Sequence, residues 1–498
     1  MRASIPRYEL FVYSAVWVVS FIYSFYKVFE GGKLLTNLTY YENGDFDEPL
    51  LKWLPLKDVS DYDWELWTTL LLRLSPFILL HLVVCERVRY LDPVSIPICH
   101  ALITVGALIT IFPPESTFIL IIMLTMFLFA LLVRSKLLTW ILAVGLLLSV
   151  NFFSKYIFHS YSSKYDDITL TILCFEWFLL KCIDFTLIEI RTNRSFLQKF
   201  MDLLGYAFYL PCFFLGPFVP YDNFKNGLYR PYEPWTTSRL KAFIGSLLRA
   251  FFWYWFFEIA SHFFYCHAMH YRVNAVVHLG LWTLNGVGLC LAQFFFIKYI
   301  VVYGGALCIA RAELYDVPPN PKCVNRIHLY SNMWRHFDRG FYMFISRCIY
   351  KPICGSRKSS VWRKLVASFY CFCFVFLWHG IDRTMLIWST MNFVGICFES
   401  LGKSFLKTPS FKRVERTLGS ENTRRLEAVV CSPLWVMAVI SNYIFFGDYD
   451  LGMAYLGQIV SANWGVLLFV FMIGYCMCQI SIEVINWETR RHSLHAKS

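Results

Sequence analysis

TFILIIMLTMFLFALLV, Thr117 to Val133, carries no charged side chain over a length close to the ~20 residues that cross a bilayer core. The rest of the chain agrees with it: of 498 residues 57% are hydrophobic, 19% aromatic and only 16% charged. Soluble domains do not have this composition. The sequence therefore predicts an all-α polytopic membrane protein, a single domain over 1–498. Apolar segments fall near 8–28, 66–85, 95–112, 117–133, 137–154, 167–189, 241–268, 275–302, 362–380, 384–402, 427–447 and 464–484.

Residues 200–219 are interrupted by Gly205, Pro211, Gly216 and Pro217 and read as a re-entrant element, because broken backbone at membrane depth must be buried in protein. The net charge of +12 lies in short loops between apolar runs. That pattern points to orientation in the membrane rather than to nucleic acid. With the N-terminus cytosolic, the basic loops, the stretch 311–361 and the tail 485–498 all fall on the cytosolic side. The acidic loop 29–65 becomes lumenal, and its Asn37-Leu38-Thr39 is a glycosylation candidate. Seventeen cysteines, mostly inside apolar runs, read as small packing residues.

Ionisable groups at membrane depth are costly and mark function by default. His379 ends the run FVFLWHG, and an imidazole suits a general base; a packed core histidine is the plain alternative. Within 311–361, beside Arg339, a helix would put Arg335 and Asp338, three apart, and Trp334 and Asp338, four apart, on shared faces, and the stretch also reads as an interfacial anchor. Asn392 and Asn442 lie mid-segment, where amides also serve as helix–helix glue. His262, His267 and His270 lack a carboxylate at metal-binding spacing, so no catalytic metal is expected.

PKCVNRIHLYSNMWRHFDRGFYMFISRCIY (321–350), FVFLWHG (374–380), ISNYIFFG (440–447) and GYAFYLPCFFLGP (205–217) together resemble the membrane-bound O-acyltransferase superfamily, in particular its hedgehog acyltransferase branch and the arthropod form of it. The resemblance implies 10–12 transmembrane helices plus re-entrant elements around a central tunnel. It implies an endoplasmic reticulum or Golgi enzyme that moves palmitate from palmitoyl-CoA to the N-terminal cysteine amine of Hedgehog and of Spitz-type EGF ligands. His379 and Asp338 match the family's catalytic pair, and Trp334, Arg335, Asn442 and Asn392 residues near the acyl donor. Cys323 matches a haem b ligand. Arg339, Arg347, Lys351 and Lys358 are candidates for the CoA phosphates. Ile381 after Trp-His-Gly and His336 beside the acid depart from relatives. The rivals are a sister acyltransferase for Wnt proteins, peptides or lysophospholipids, a transporter, and a non-catalytic scaffold.

Overall fold

A computed structural model describes residues 3–38, 44–49, 51–160, 165–355 and 360–495. Hydrocarbon offers the backbone no hydrogen-bond partners, so an apolar chain satisfies its amides within helices. Nineteen follow in order among the described residues. The first five are α1 (Arg7–Asn37), α2 (Tyr62–Leu91), α3 (Ile96–Ile111), α4 (Pro114–Leu132) and α5 (Lys136–Ser160). A buried block follows: α6 (Tyr165–Glu189), α7 (Phe196–Ala207) and α8 (Tyr221–Leu228). Then come α9 (Thr237–Ala260), the short α10 (Cys266–His270) and α11 (Val273–Val277), and the central α12 (Leu281–Ala312). The stretch 311–361 holds α13 (Tyr330–His336), α14 (Arg339–Ile345) and α15 (Lys351–Cys354). The fold closes with α16 (Val361–His379), α17 (Arg383–Phe405), α18 (Pro409–Ser461) and α19 (Trp464–His495).

Among the described residues eleven helices are long and apolar enough to span: α1 to α5, α9, α12 and α16 to α19. The expected segment 167–189 is the exception. It forms α6, but Glu176, Lys181 and Asp184 interrupt its apolar run, and its inner half is buried on all sides. Lys181 donates to the Ala207 carbonyl at 3.2 Å and Asp184 accepts from the Tyr221 amide at 2.8 Å, so these charges serve the protein interior.

Three loop boundaries shift. The loop expected at 29–65 is shorter, because α1 runs on to Asn37 with Gly31 and Gly32 seated against Met269 and Tyr265. What remains includes a two-residue antiparallel ribbon, β1 (Phe46–Asp47) with β2 (Lys57–Asp58). The expected tail 485–498 is mostly helix, since α19 continues to His495 and Glu488 pairs with Lys322 at 2.9 Å. The basic loop after α17 is also helical, with α18 broken at Gly419 and again at Gly447 and Asp448.

The buried Arg424 of α18 donates to the Ala3 carbonyl at 2.7 Å, to Gln479 at 2.9 Å and to Glu483 at 2.9 Å. The start of α1 and the later part of α19 thus lie at one end of the molecule. The segment 200–219 consists of α7, a short turn and irregular backbone, buried along almost its whole length as broken backbone requires.

Candidate active site

The helix α16 ends at His379 for a local reason. Gly380 has φ +116°, a conformation open to glycine and strained for other residues, so the helix stops there. Asp382, the acid of WHGID, then accepts from the Met385 amide at 2.9 Å and starts α17. Asn151 of α5 fastens this turn from outside: its Nδ2 donates to the Leu377 carbonyl at 2.9 Å and its Oδ1 accepts from the Ile381 amide at 2.8 Å. One amide thus holds the backbone on both sides of His379. Sequence reading missed Asn151, although a lone amide in an apolar segment was its visible signal.

Asp338 is placed in the same way. It caps α14, accepting from the Phe341 amide at 2.8 Å, and its other oxygen accepts from the Tyr303 hydroxyl of α12 at 2.8 Å. Two residues on, Gly340 lies so close to the Phe218 carbonyl that a Cβ would sit 1.9 Å from it. The buried segment 200–219 therefore braces the loop that carries the acid. Burial pushes the Asp338 carboxyl above its ordinary range, opposed by these donated hydrogen bonds.

Asp338 and His379 line one cavity of about 110 Å³, walled by Trp177, Tyr303, Phe341, Trp378, Trp388 and Phe445 among others. No hydrogen bond joins the acid to the imidazole among the described residues. His379 meets Trp388 and Phe445 edge to face, with centroids 5.2 and 5.5 Å apart, and among the described residues neither ring nitrogen has a hydrogen-bond partner. It is exposed and lines the cavity, within reach of a proton on a bound substrate. The buried indole N–H of Trp388 is also unpartnered. Trp388 was not anticipated; only an unsatisfied donor in three dimensions reveals it.

The other expected residues divide. Trp334 lines the cavity, but its indole N–H is spent on Asn392 Oδ1 at 3.0 Å. Asn392 is fully buried, and its own amide donates to Trp388 O and Ser441 Oγ, both at 2.9 Å. It fixes Trp334 and does not face the cavity. Asn442 does face it, and its amide meets only the Met333 sulfur at 3.9 Å, a weak acceptor.

A second cavity, about 420 Å³, adjoins through Trp334 and is lined by Arg335, Lys351 and Lys364, the last not anticipated. A third, about 340 Å³ and mainly apolar, adjoins through Val324, Met333 and Asn442 and reaches Trp17 and Phe21 of α1. Arg339 lies over the Tyr342 ring, 5.6 Å from its centroid. Burial, then the cations Lys322, Arg335 and Arg339, push His336 below its usual value, so it adds no further charge here. Arg347 points elsewhere, 3.4 Å from Asn223 and 3.8 Å from Asp222. Lys358, and Thr39 of the sequon, lie outside the described residues; Asn37 is exposed at the end of α1.

Haem b at Cys323 does not fit this arrangement. The sulfur is half-buried, 3.7 Å from Gln293 Oε1, and Cys323 lines none of the three connected cavities, whereas a porphyrin needs an open slot facing its ligand. The histidines 262, 267 and 270 are each engaged separately, with Pro55 O at 2.8 Å, Asp61 at 3.0 Å and His267 O at 2.7 Å.

A helical membrane protein with an acid and a histidine lining one cavity, adjoined by a cationic vestibule and by an apolar one, has the parts that transfer of an acyl group needs. The chain belongs to the membrane-bound O-acyltransferase family, whose pattern covers residues 122–441. It is an acyltransferase. It is 28% identical over 493 residues, 96% of both chains, to the protein-cysteine N-palmitoyltransferase Rasp of Drosophila melanogaster. Over 282 residues, 56% of both chains, it is 30% identical to the protein-cysteine N-palmitoyltransferase HHAT of Mus musculus. The HHAT-like protein of Mus musculus is 24% identical over 311 residues, 61% of this chain and 60% of the relative.

Proposed function

We propose that this enzyme transfers palmitate from palmitoyl-CoA to the N-terminal cysteine amine of secreted signals, Hedgehog and Spitz-type EGF ligands, in the endoplasmic reticulum or Golgi membrane with both chain ends cytosolic. The observation that carries the reading is the run of three adjoining cavities with Asp338 and His379 in the middle one. Similarity to Rasp along nearly the whole chain supports the acceptor class.

In this reading the cationic vestibule receives the CoA phosphates at Arg335, Lys351 and Lys364, and the apolar cavity takes the acyl chain. The thioester carbonyl lies between His379, Asn442 and Trp388. The peptide amine attacks that carbonyl carbon while His379 accepts its proton, help typically worth about 10²–10⁴-fold. The C–S bond then breaks, and the CoA thiolate leaves protonated by the imidazolium. Trp334 is committed to Asn392, so the developing oxyanion is left to the Asn442 amide and the Trp388 indole N–H. Asp338 holds Tyr303 and the start of α14 in place.

The test is transfer of labelled palmitate from palmitoyl-CoA to a peptide with a Hedgehog-type N-terminal cysteine, with the N-acetylated peptide and His379→Ala as controls. Transfer abolished by both supports the reading. Transfer only to a Wnt peptide or a lysolipid replaces the acceptor, and flux without acyl-CoA replaces the reaction.

A further inference from the structure

A second buried cluster stands apart from the His379 cavity, where α2, α3 and the end of α12 meet the interrupted segment. His81 and Cys85 come from α2, one turn apart; His100 comes from α3; Glu313 follows α12. All four are 0 to 2% exposed, and one donor atom from each lies within 4.8 Å of the others. We infer that His81, Cys85, His100 and Glu313 form a structural binding site for a zinc-class divalent metal ion.

Geometry fixes the roles. His100 Nδ1 lies 2.8 Å from the Gly205 carbonyl, which can only accept, so Nδ1 carries the proton and Nε2 the lone pair. That Nε2 is buried with no partner. Such an arrangement, one ring nitrogen anchored to a carbonyl and the other free, is how proteins prepare an imidazole for metal. Glu313 Oε1 is likewise buried and unpartnered, while Oε2 accepts from the Tyr209 hydroxyl and lies 3.2 Å from His81 Nε2. Donors about 2.0–2.1 Å from a tetrahedral zinc stand roughly 3.3 Å apart, so the His81–Glu313 edge is already near the required length. Cys85 Sγ, 3.7 Å from His81 Nδ1, is the fourth donor and must close in.

Charge supports the same conclusion. A divalent ion with one thiolate, one carboxylate and two neutral imidazoles is neutral overall, which a buried site favours. On binding, the Cys85 thiol proton passes to His81 Nδ1 as the proton on His81 Nε2 leaves, so the site releases one proton per ion. The nearby Arg89 is occupied by Gly227 O at 2.9 Å and the Tyr315 hydroxyl at 2.7 Å. An ion here would fasten three spans to Gly205 and Tyr209 of the segment whose Phe218 braces the Asp338 loop.

The test uses full-length protein purified without a metal-affinity tag from zinc-supplemented cells, with metal content measured by elemental mass spectrometry. Near-stoichiometric zinc is expected in the wild type and only traces in His100→Gln and Glu313→Gln. Cobalt exchanged into the wild type should give tetrahedral visible bands and a thiolate charge-transfer band that Cys85→Ser removes. Wild type that holds no zinc and gives no cobalt spectrum on loading overturns the site, and so does zinc that both variants retain. The cobalt spectrum of the wild type decides the matter alone if a variant fails to fold.

Discussion

Two polar regions of this molecule are built on opposite rules. Around Asp202, between α7 and α8, the strong groups have found partners: Asp202 takes Arg194, the Tyr221 hydroxyl at 2.7 Å and the Tyr229 hydroxyl at 2.5 Å. Around His379 the reverse holds, since the buried Trp388 indole has no partner, Asn442 has only a thioether, and the exposed imidazole makes no hydrogen bond among the described residues. An unpaired polar group in low dielectric is costly and persists where something else pays for it. Saturation marks scaffold here, and vacancy marks the place where substrate completes the hydrogen bonds.

Substitutions on the two sides should therefore fail differently. The largest effect is expected from His379→Ala, which should lower palmitoyl transfer by about 10²–10⁴-fold while the melting temperature stays near that of wild type. Unfolding of this variant would break the contrast. Trp388→Phe keeps the ring and removes the N–H; a fall in kcat of about ten- to a hundredfold with little change in KM is expected in the same assay. On the saturated side, Asp202→Ala should lose on the order of 2 kcal/mol of stability in a detergent thermal-unfolding assay, as Arg194 is partly solvated and two tyrosine hydroxyls lose their acceptor. The protein that remains folded should keep its kcat.

Ala438→Phe, in the apolar cavity, should shift preference from palmitoyl-CoA to shorter acyl-CoA at similar kcat, read by competition between donors. The smallest effect concerns pH. Burial raises the Asp338 pKa in the folded state, so its charge is a cost that is full above the folded pKa and vanishes as pH falls below the unfolded value. Melting temperature should rise slightly through that window on acidification in wild type, relative to Asp338→Asn.

The span-forming helices were legible because hydrophobic length is a local property, and His379 and Asp338 because short motifs surround them. The departures have physical causes. α6 looks like a span until Lys181 and Asp184 find partners that only the folded block supplies. Arg347 lies among plausible phosphate ligands in sequence, yet its side chain meets α8. Asn151 and Trp388 are ordinary residues in apolar runs, and their roles arise from a neighbour 230 residues away and from a bond not made. The metal-binding cluster draws on residues from 81 to 313, a separation no spacing rule spans.

The Arg424 junction bears on the order in which the chain is made. Helix α1 leaves the ribosome well before α19, yet its Trp17 and Phe21 line the apolar cavity together with Phe469 and Val470 of α19, and Arg424 joins its start to α19. That wall cannot be finished while synthesis is under way. Helix α1 must wait in the bilayer until α19 is inserted, and a chain truncated before α19 would be released with that apolar cavity open to lipid.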